Sequence, residues 1–303
     1  MTLLVTTMPE RARVWQQVFA AEGEAIHIDA AQVADPAGIT VLACWQPPAD
    51  LSVYPNLRAV LSVGAGVDQM PELPGHLMLC RSLAPGIDAL VRDWVVMSCL
   101  MVHRDMPTYL EQAQRGVWQG HGPRPTHARR IGILGMGRIG QLVAASLRGL
   151  GFPVAGWSRS GAAVPGVEVH GAAGLGALLG GSDILVCLLP LTDATRGLLC
   201  AETFDQLPAG AHLVHAGRGD HLIMADLRGA LDRGQLGSAI LDVTAPEPLP
   251  VDHWAWGDPR VIVTPHIAAQ TDAVEGAQHA LKVLRAIRQG TPPPGLIDRG
   301  HGY

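Results

Sequence analysis

The sequence predicts an α/β protein with two domains, each built on a doubly wound parallel β-sheet. Three observations predict this class. Short apolar runs alternate with helix-length segments along the chain, a glycine-rich turn joins one apolar run to a helix, and 303 residues accommodate about two domains. Hydrophobic residues make up 48% of the chain and charged residues 16%, so we expect folded domains rather than long disordered segments.

The first part of the chain is predicted to contain three strands and two helices. The strands are expected at residues 3–6, 38–44 and 59–63, where apolar residues follow one another. A helix is expected from about residue 9 to residue 22. A second helix, over residues 88–101, is apolar on most faces, which predicts that it is buried.

A loop separates this part from the rest of the chain. Residues 115–129 are rich in Gly, Pro and His and show no periodicity. Beyond this loop the alternation continues, and helices are expected at residues 141–149 and 273–289. The strands expected here are residues 130–134, 152–157, 184–189, 212–215, 239–243 and 261–264.

The composition excludes several classes of function. The chain has a single lysine, Lys282, which follows a leucine, so it cannot form a Gly-Lys-Ser/Thr phosphate loop. A formal net charge of -5 argues against nucleic acid or an anionic membrane surface as a partner. No apolar stretch reaches the ~18 residues of a membrane span, and the first residues lack the basic region of a signal peptide. We therefore expect a soluble, cytoplasmic protein.

The cysteines and histidines predict no metal site. The 5 cysteines are widely spaced and mostly flanked by apolar residues, without a CxxC pair. This pattern is typical of buried thiols in a reducing compartment rather than of disulfides or a zinc site. His212 and His215 are three residues apart in a predicted strand, so their side chains should point to opposite faces and not share a metal.

The glycine-rich turn has the context of a dinucleotide-binding site. Residues 135–140 read GMGRIG, after a predicted buried strand and before a helix expected to open after Gly140. Gly135 permits the tight turn, Gly137 lets the backbone approach a pyrophosphate, and Gly140 allows the helix to pack closely on the strand. The amino terminus of the helix would present N–H groups to the phosphates. The turn therefore predicts a Rossmann-like domain.

The residues after the next predicted strand favour NADP(H) over NAD(H). A site for NAD usually has an Asp or Glu there, which accepts a hydrogen bond from the ribose 2′-hydroxyl. This chain has Arg159, between Ser158 and Ser160. A carboxylate would repel a 2′-phosphate, whereas a guanidinium can bind it with two hydrogen bonds. NAD(H) remains possible if Arg159 is only a solvated loop residue.

Later segments place polar residues next to predicted strands. Arg218 follows one strand between two glycines, Asp242 lies within the next, and Glu247 lies in the Pro-containing loop after it. His266 follows the last strand. Because the carboxyl ends of parallel strands meet at one edge of a sheet, we expect Arg218, Glu247 and His266 to converge beside the dinucleotide.

These motifs, in this order, resemble the D-isomer-specific 2-hydroxyacid dehydrogenase family. The resemblance covers nearly the whole chain and is closest to the family's glyoxylate/hydroxypyruvate reductase A branch. The segments that carry it are VGAGVD at 63–68, WSRS at 157–160, ILVCLLPLTDATRGLL at 184–199, LVHAGRGD at 213–220, AILDVTAPEPLP at 239–250, VIVTPHIAA at 261–269 and DRGHGY at 298–303.

The resemblance implies an enzyme that reduces a small 2-oxo acid by hydride transfer. His266 would protonate the developing alkoxide, and Glu247 would orient His266 and favour its imidazolium form. Arg218 would bind the carboxylate and carbonyl oxygens of the substrate. Backbone N–H groups of Val63, Gly64 and Ala65 would complete the grip on the carboxylate.

The resemblance also implies a set of cofactor contacts and a homodimer. Trp45 is a candidate wall of the substrate pocket, and core packing is an equal alternative for it. Asp242 is expected beside the nicotinamide amide. The other residues expected to contact the dinucleotide are Gly135, Gly137, Arg138, Ile139, Gly140, Ser158, Arg159, Ser160, Leu189, Pro190, Thr195, Ala216, Gly217 and Ala268.

The motifs place the domain boundaries away from the middle of the chain. Residues 99–269 are expected to form the Rossmann-like cofactor domain, inserted into a discontinuous substrate-binding domain of residues 1–98 and 270–303. Two positions depart from the family pattern. His215 stands where the family usually has Asn, and Asp93 stands where it usually has Glu.

Two alternative functions stay open from sequence alone. The substrate could be a bulkier 2-oxo acid, such as phenylpyruvate or a branched-chain acid, because a sequence does not give the volume of a pocket. The chain could also be a regulatory protein that senses a dinucleotide with little turnover. The presence of Arg218, Glu247 and His266 together argues against the regulatory reading, because a sensor does not need all three.

Overall fold

The computed structural model describes residues 1–298, apart from the side chain of Pro85. It divides into two compact units. One unit contains Met1–Ile87 together with the chain from Gln270 onward, and the other contains Asp88–Ala269. Both units are α/β structures, in agreement with the predicted fold class.

The strands alternate with helices along the described chain. The strands are β1 (Thr2–Thr6), β2 (Ile26–His27), β3 (Ile39–Cys44), β4 (Ala59–Ser62), β5 (Met78–Cys80), β6 (Ile131–Leu134), β7 (Val154–Trp157), β8 (Glu168–His170), β9 (Ile184–Cys187), β10 (Ala211–His215), β11 (Leu236–Leu241) and β12 (Val261–Val263). The α-helices are α1 (Pro9–Ala21), α2 (Pro85–His103), α3 (Met106–Gln114), α4 (Arg138–Gly149), α5 (Leu175–Gly180), α6 (Ala201–Asp205), α7 (Met224–Asp232) and α8 (Ala273–Gln289).

The first unit contains a five-stranded parallel sheet in the order β2-β1-β3-β4-β5. This is the flavodoxin-like variant of the doubly wound fold. Alternate residues of β1 face opposite sides of the sheet. Leu3 and Val5 pack with α1 and α8, whereas Leu4 packs in a separate apolar cluster with Leu57 and Leu73. Burial on both faces explains why these strands are continuous apolar runs in the sequence.

The second unit contains a seven-stranded parallel sheet in the order β12-β11-β10-β9-β6-β7-β8. Counted from β6, this is the Rossmann strand order 3-2-1-4-5-6 with a seventh strand added at one edge. The order of the strands reverses between β6 and β9. In such sheets, ligands bind in the crevice at the carboxyl ends of the strands where the order reverses.

Several predicted boundaries need correction. Helix α4 begins at Arg138 rather than after Gly140, because Gly137 already serves as its N-cap. Strand β11 ends at Leu241, so Asp242 lies just after the strand and not within it. Helix α2 is buried or half-buried on most faces, as predicted, and is exposed along one stripe, where Leu90 and Met97 are 45% and 46% exposed. The prediction of α8 at residues 273–289 is confirmed.

The predicted elements did not include helices α3, α5, α6 and α7 or strands β2, β5 and β8. The division between the units falls earlier in the chain than residue 99. Helix α2 is continuous from Pro85 to His103, so contacts group nearly all of it with the second unit, which begins at Asp88.

Among the helices of residues 1–298, none is long and apolar enough to cross a membrane.

One glycine fixes the distance between α4 and the end of β6. A Cβ atom on Gly140 would lie 1.9 Å from the carbonyl oxygen of Gly135. The first turn of α4 therefore packs directly on the backbone of the turn that precedes it. A methyl group cannot be accommodated there unless the helix moves away from the strand.

We predict that Gly140→Ala lowers the free energy of unfolding by about 1–3 kcal/mol, the usual cost of overpacking. The measurement is denaturant unfolding followed by circular dichroism. Gly149→Ala, in the same helix, is the matched control, because its Cβ would meet no atom of the described residues within 4 Å. If the two variants were equally stable, the close contact at Gly140 would carry no energetic cost.

Candidate active site

The predicted polar residues of the second unit lie on the loops that follow its parallel strands. The glycine-rich turn follows β6, Ser158 follows β7, Ala216 follows β10 and Asp242 follows β11. His266 follows β12. These loops leave the same edge of one sheet, because every neighbouring pair of strands in it is parallel.

The glycine-rich turn lies against the loop after β9. Gly135 has a φ of +106°, and a Cβ on it would lie 2.9 Å from the backbone carbon and oxygen of Leu188. Both the backbone conformation and the close approach therefore require glycine. Gly137 differs from Gly135, because a Cβ on it would meet no described atom within 4 Å. The backbone at Gly137 thus faces open space.

The amino terminus of α4 is suited to bind an anion. Within residues 1–298 no side chain caps this terminus, whose N-cap is Gly137. The N–H groups of a helix's first turn have no partner within the helix, and they carry partial positive charge. Ile139 and Gly140 belong to this turn. The side chain of Arg138 points to α2, where its Nε lies 2.7 Å from a carboxylate oxygen of Asp88.

The segment after β7 carries the residues that the sequence analysis associated with the ribose. Arg159 and Ser160 are exposed and Ser158 is half-buried. The hydroxyl of Ser158 accepts a hydrogen bond from the Gly161 N–H at 3.2 Å, and that of Ser160 accepts one from the Ala162 N–H at 3.3 Å. The two serines therefore shape the turn, and Arg159 provides its positive charge.

Glycine also brings the Arg218 turn against the loop that follows β11. A Cβ on Gly219 would lie 2.0 Å from the carbonyl carbon and oxygen of Thr244. The guanidinium of Arg218 donates a hydrogen bond from Nη1 to the carbonyl of Gly217 at 2.8 Å. The charge of Arg218 lowers the pKa of both Glu247 and His266, although it is not the largest influence on either. Arg218, Glu247 and His266 thus form one electrostatic cluster.

Glu247 and His266 form a hydrogen-bonded ion pair. Nδ1 of His266 lies 2.9 Å from Oε2 of Glu247, and both side chains are about two-fifths exposed. The second carboxylate oxygen, Oε1, accepts a hydrogen bond from the Thr244 N–H at 3.0 Å. Glu247 is therefore held on one side by the backbone and presents its other oxygen to the imidazole.

The pair shifts both pKa values toward the charged forms. The hydrogen bond that His266 donates to Glu247 raises the pKa of His266, and this effect outweighs the burial that would lower it. Burial alone would raise the pKa of Glu247, but the hydrogen bonds from His266 and the Thr244 N–H hold that pKa below its ordinary value. The arrangement favours an imidazolium at His266, with Nε2 on the opposite side of the ring from Glu247.

Asp242 holds the loop that carries His266. Its Oδ1 accepts hydrogen bonds from the Thr264 hydroxyl at 2.6 Å and the Ile267 N–H at 2.8 Å, and its Oδ2 accepts one from the Ala268 N–H at 2.7 Å. The carbonyl of Asp242 accepts from the His266 N–H at 2.9 Å. The side chain of Asp242 is thus an anchor for the loop.

This anchor explains how His266 keeps an unfavourable backbone. His266 has a φ of 52°, in the left-handed region that residues other than glycine seldom adopt. Such a conformation costs on the order of 1 kcal/mol, and it persists where surrounding contacts hold it. Four hydrogen bonds to Asp242 provide those contacts. They fix the direction in which the imidazole leaves the chain.

The remaining predicted cofactor residues lie on the loops after β9, β10 and β12. Leu189 is buried, and the carbonyl of Pro190 accepts a hydrogen bond from the Thr195 hydroxyl at 2.9 Å. Ala216 and Gly217 directly follow β10, and Ala268 is buried beside Asp242. These residues therefore line the same edge of the sheet as the glycine-rich turn.

The sequence analysis missed His221 and a group that it forms with Cys187 and His215. One ligand atom of each lies within 4.8 Å of those of the others, and all three residues are buried. The sequence signal was available, since His215 and His221 each lie three residues from Arg218. Nδ1 of His212, by contrast, lies at hydrogen-bond distance, 2.8 Å, from the hydroxyl oxygen of Ser238. Burial lowers the pKa of both His212 and His215 to about 3, so both rings are neutral.

The predicted carboxylate-binding turn lies in the first unit and is partly committed to internal hydrogen bonds. The Val63 N–H donates to the carbonyl of Cys44 at 3.1 Å, and the Gly64 N–H donates to the hydroxyl of Ser62 at 3.2 Å. Of the three N–H groups predicted to bind the substrate carboxylate, that of Ala65 is therefore the main candidate. The strand predicted at 59–63 already includes Val63, whose N–H bonds to β3 in the structure.

Trp45 lies against this turn. A Cβ on Gly64 would be 2.9 Å from Cζ3 of the indole, and Trp45 is 52% exposed. The alternative that Trp45 packs in the core is therefore wrong. Its contact with Gly64 explains why the turn has no side chain at that position.

Other predictions concern residues away from the candidate site. Asp93 forms a surface ion pair with its neighbour Arg92 at 2.7 Å. Four cysteines are buried as predicted, whereas Cys200 is half-buried, and all five are free thiols. Of the predicted DRGHGY segment, only Asp298 belongs to the described part of the chain, and 299–303 lie outside it.

Comparison with known proteins gives a consistent result. Residues 96–268 match the family model described as D-isomer specific 2-hydroxyacid dehydrogenase, NAD binding domain. A glyoxylate/hydroxypyruvate reductase A from Salmonella newport (strain SL254) is 38% identical over 271 residues, which cover 86% of this chain and 86% of the relative.

Solved structures extend the similarity to nearly the whole chain. A D-isomer specific 2-hydroxyacid dehydrogenase from Xanthobacter autotrophicus Py2, in complex with NADPH and MES, has a TM-score of 0.93 and 34% identity, with 100% of this chain and 99% of that chain covered. An NADPH-dependent glyoxylate/hydroxypyruvate reductase from Sinorhizobium meliloti, in complex with NADP and sulfate, has a TM-score of 0.91 and 35% identity, with both chains covered completely. The chain therefore belongs to the D-isomer specific 2-hydroxyacid dehydrogenase family and is an NAD(P)-dependent enzyme of that class.

Proposed function

We propose that the chain reduces glyoxylate or hydroxypyruvate to the corresponding D-2-hydroxy acid with NADPH, and that His266 donates the proton. The observation that supports this proposal most directly is the hydrogen-bonded pair of His266 and Glu247, on the same sheet edge as Arg218 and the glycine-rich turn. The relatives described as glyoxylate/hydroxypyruvate reductases support the choice of substrate.

The residues present fit a dinucleotide phosphate group. The open space at Gly137 and the uncapped amino terminus of α4 provide N–H donors and room for a pyrophosphate. Arg159 would bind the 2′-phosphate that distinguishes NADP from NAD. The complexes of two relatives with NADPH and with NADP support this assignment.

The chain's own residues would bind the substrate, hold the proton and stabilise charge. When bound, the nicotinamide supplies a hydride to C2 of the 2-oxo acid. Arg218 binds the carboxylate and carbonyl oxygens with its planar fork of donors, which fixes the face of C2 that is presented. His266, kept protonated by Glu247, donates its Nε2 proton to the oxygen as negative charge develops there. Asp242 keeps the imidazole in place.

The homodimer implied by the family resemblance stays a prediction. Apolar side chains on the outer faces of α2 and α3 favour it. Leu90, Met97, Met106 and Leu110 are each 36–46% exposed, and one neighbouring copy could cover them.

A substrate and cofactor panel tests the proposed reaction. We expect the highest kcat/KM with NADPH and the two small acids, and lower values with NADH, phenylpyruvate or a branched-chain 2-oxo acid. Arg159→Gln should lower kcat/KM with NADPH about tenfold or more and leave NADH-dependent turnover nearly unchanged. Better turnover of phenylpyruvate would indicate a bulkier substrate, equal use of NADH would contradict the role of Arg159, and no turnover would favour a regulatory protein.

Gly137 allows a test of cofactor binding that is separate from folding. Gly137→Ala should remain folded, because the added methyl group meets no described atom within 4 Å and the change of N-cap residue costs about 1 kcal/mol or less. It should nevertheless raise the Kd for NADPH about tenfold or more, since the methyl group would occupy the space next to the phosphates. Fluorescence titration with NADPH measures this effect. Unchanged affinity would contradict the placement of the pyrophosphate at Gly137.

The pH dependence of reduction tests the roles of His266 and Glu247. Because Glu247 raises the pKa of His266, kcat/KM should stay high above the ordinary histidine pKa of about 6.5 and fall as the pH rises through the higher value. Glu247→Gln should move this midpoint to lower pH and lower kcat, and His266→Ala should lower kcat by ~10²–10⁴. The exposed Glu202→Gln is the control. An unchanged midpoint in Glu247→Gln would contradict the pairing.

A further inference from the structure

Two fully buried histidines lie on either side of Arg218 in the chain. His215 ends β10 and His221 lies in the short 3-10 turn after Arg218, and both are 0% exposed. Their rings contact each other edge to face, with centroids 5.7 Å apart and planes at 75°. The proposed reaction gives neither ring a chemical role, so their burial next to Arg218 needs a separate explanation.

His221 bonds to the backbone of Arg218 and to the loop after β9. Its Nε2 lies 3.2 Å from the carbonyl of Pro190, and its Nδ1 accepts from the Arg218 N–H at 3.0 Å. A carbonyl oxygen can only accept, so Nε2 carries a proton, whereas Nδ1 faces both the N–H and the carbonyl of Arg218, each at 3.0 Å. His221 therefore fixes the N–H side of Arg218 to a neighbouring strand's loop.

His215 bonds to the other side of the same residue. Its Nε2 lies 2.9 Å from the carbonyl of Arg218, which also accepts from the His221 N–H at 3.0 Å. The Gly217 N–H points to Nδ1 at 3.5 Å. By the same argument the Nε2 of neutral His215 is a donor, so both polar groups of the Arg218 backbone are held by buried rings.

We propose that His215 and His221 are positioning residues that fix the backbone of Arg218 and thereby aim its guanidinium at the 2-oxo acid. This inference rests on the proposed role of Arg218 in substrate binding. A fork that binds two substrate oxygens tolerates an error of only about 0.5 Å, and a displacement of 1 Å can cost on the order of 10²-fold in rate. A rotation of the peptide groups at Arg218 would displace the guanidinium by more than that.

The alternative use of these residues is a metal site with Cys187 as the third ligand. Two features of the structure oppose it. The ring nitrogens of His215 and His221 already face backbone groups, as described above. Burial raises the pKa of the Cys187 thiol to about 12, although a hydrogen bond from the Leu189 N–H opposes this rise. A raised pKa disfavours the thiolate that a metal requires. Cys187 therefore packs against the rings as a neutral thiol.

The test uses pairs of variants that differ in hydrogen bonding but not in shape. Gln places an N–H donor near the position of Nε2 in histidine, and Met has similar length without a donor. For His221, Asn keeps an acceptor near Nδ1, and Leu has a similar shape without one. The quantities compared are KM for glyoxylate, kcat and the Kd for NADPH, each in the full-length enzyme. Zinc content is measured by mass spectrometry of the purified protein.

We expect His215→Met and His221→Leu to raise KM for glyoxylate about tenfold or more and to lower kcat. The Kd for NADPH in His215→Met should stay within about twofold of the wild type, which also shows that the variant is folded. His215→Gln and His221→Asn should recover most of the loss. His212→Met, on the same strand but bonded to Ser238, is the matched control and should leave KM unchanged.

A double variant shows whether the effect passes through Arg218. If His215 acts only by aiming Arg218, then Arg218→Lys/His215→Met should be no worse than Arg218→Lys alone. Additive losses would overturn the inference, as would wild-type kinetics in His215→Met and His221→Leu, or a stoichiometric metal ion that is lost in His215→Gln. If Arg218→Lys itself had no effect, or the wild type reduced no 2-oxo acid, the proposed function would fail and this inference with it.

Discussion

The parallel arrangement of the seven-stranded sheet is the constraint on which the second unit depends. Neighbouring strands lie about 4.8 Å apart, so loops that leave the same edge emerge close to one another. At two places the backbones come so near that a methyl group has no room. Gly135 lies against Leu188 of the loop after β9, and Gly219 lies against Thr244 of the loop after β11. Polar side chains from separate strands are thereby brought into one cluster.

Two carboxylates in this cluster have different surroundings and different effects. Asp242 is 2% exposed and uses both oxygens to accept three hydrogen bonds from the His266 loop. Glu247 is more exposed and uses one oxygen for the Thr244 N–H and the other for His266. The buried carboxylate therefore determines where the imidazole lies, and the exposed one determines its charge. This separation keeps the position of His266 constant while its protonation state changes.

The parts of the fold that could be predicted from sequence are those encoded by local patterns. The apolar runs of the buried parallel strands and the amphipathic residues of α8 identify elements without knowledge of their neighbours. The start of α4 could not be placed in this way, because it depends on Gly137 acting as N-cap in the folded turn. Helix α3 was missed because Met106–Gln114 has only a weak apolar face, with Pro107 as its buried residue.

The same distinction applies to the candidate site. Arg218, Glu247 and His266 were predicted because each follows a recognisable strand. Two other features depend on contacts between residues that no local pattern encodes. Val63 and Gly64 already use their N–H groups in internal hydrogen bonds, and two histidines bond to the backbone of Arg218. Hydrogen-bond partners of this kind have no periodicity in the sequence, so the structure was needed to find them.

The low lysine content has a consequence for how the site responds to pH. With Lys282 as the single lysine, the positive charges at the candidate site come from arginines and from His266. A guanidinium does not lose its proton in the physiological range. Burial keeps His215 neutral over the same range, since it lowers the pKa of that ring to about 3. Among these groups, the His266–Glu247 pair is therefore the one whose charge we expect to change near neutrality.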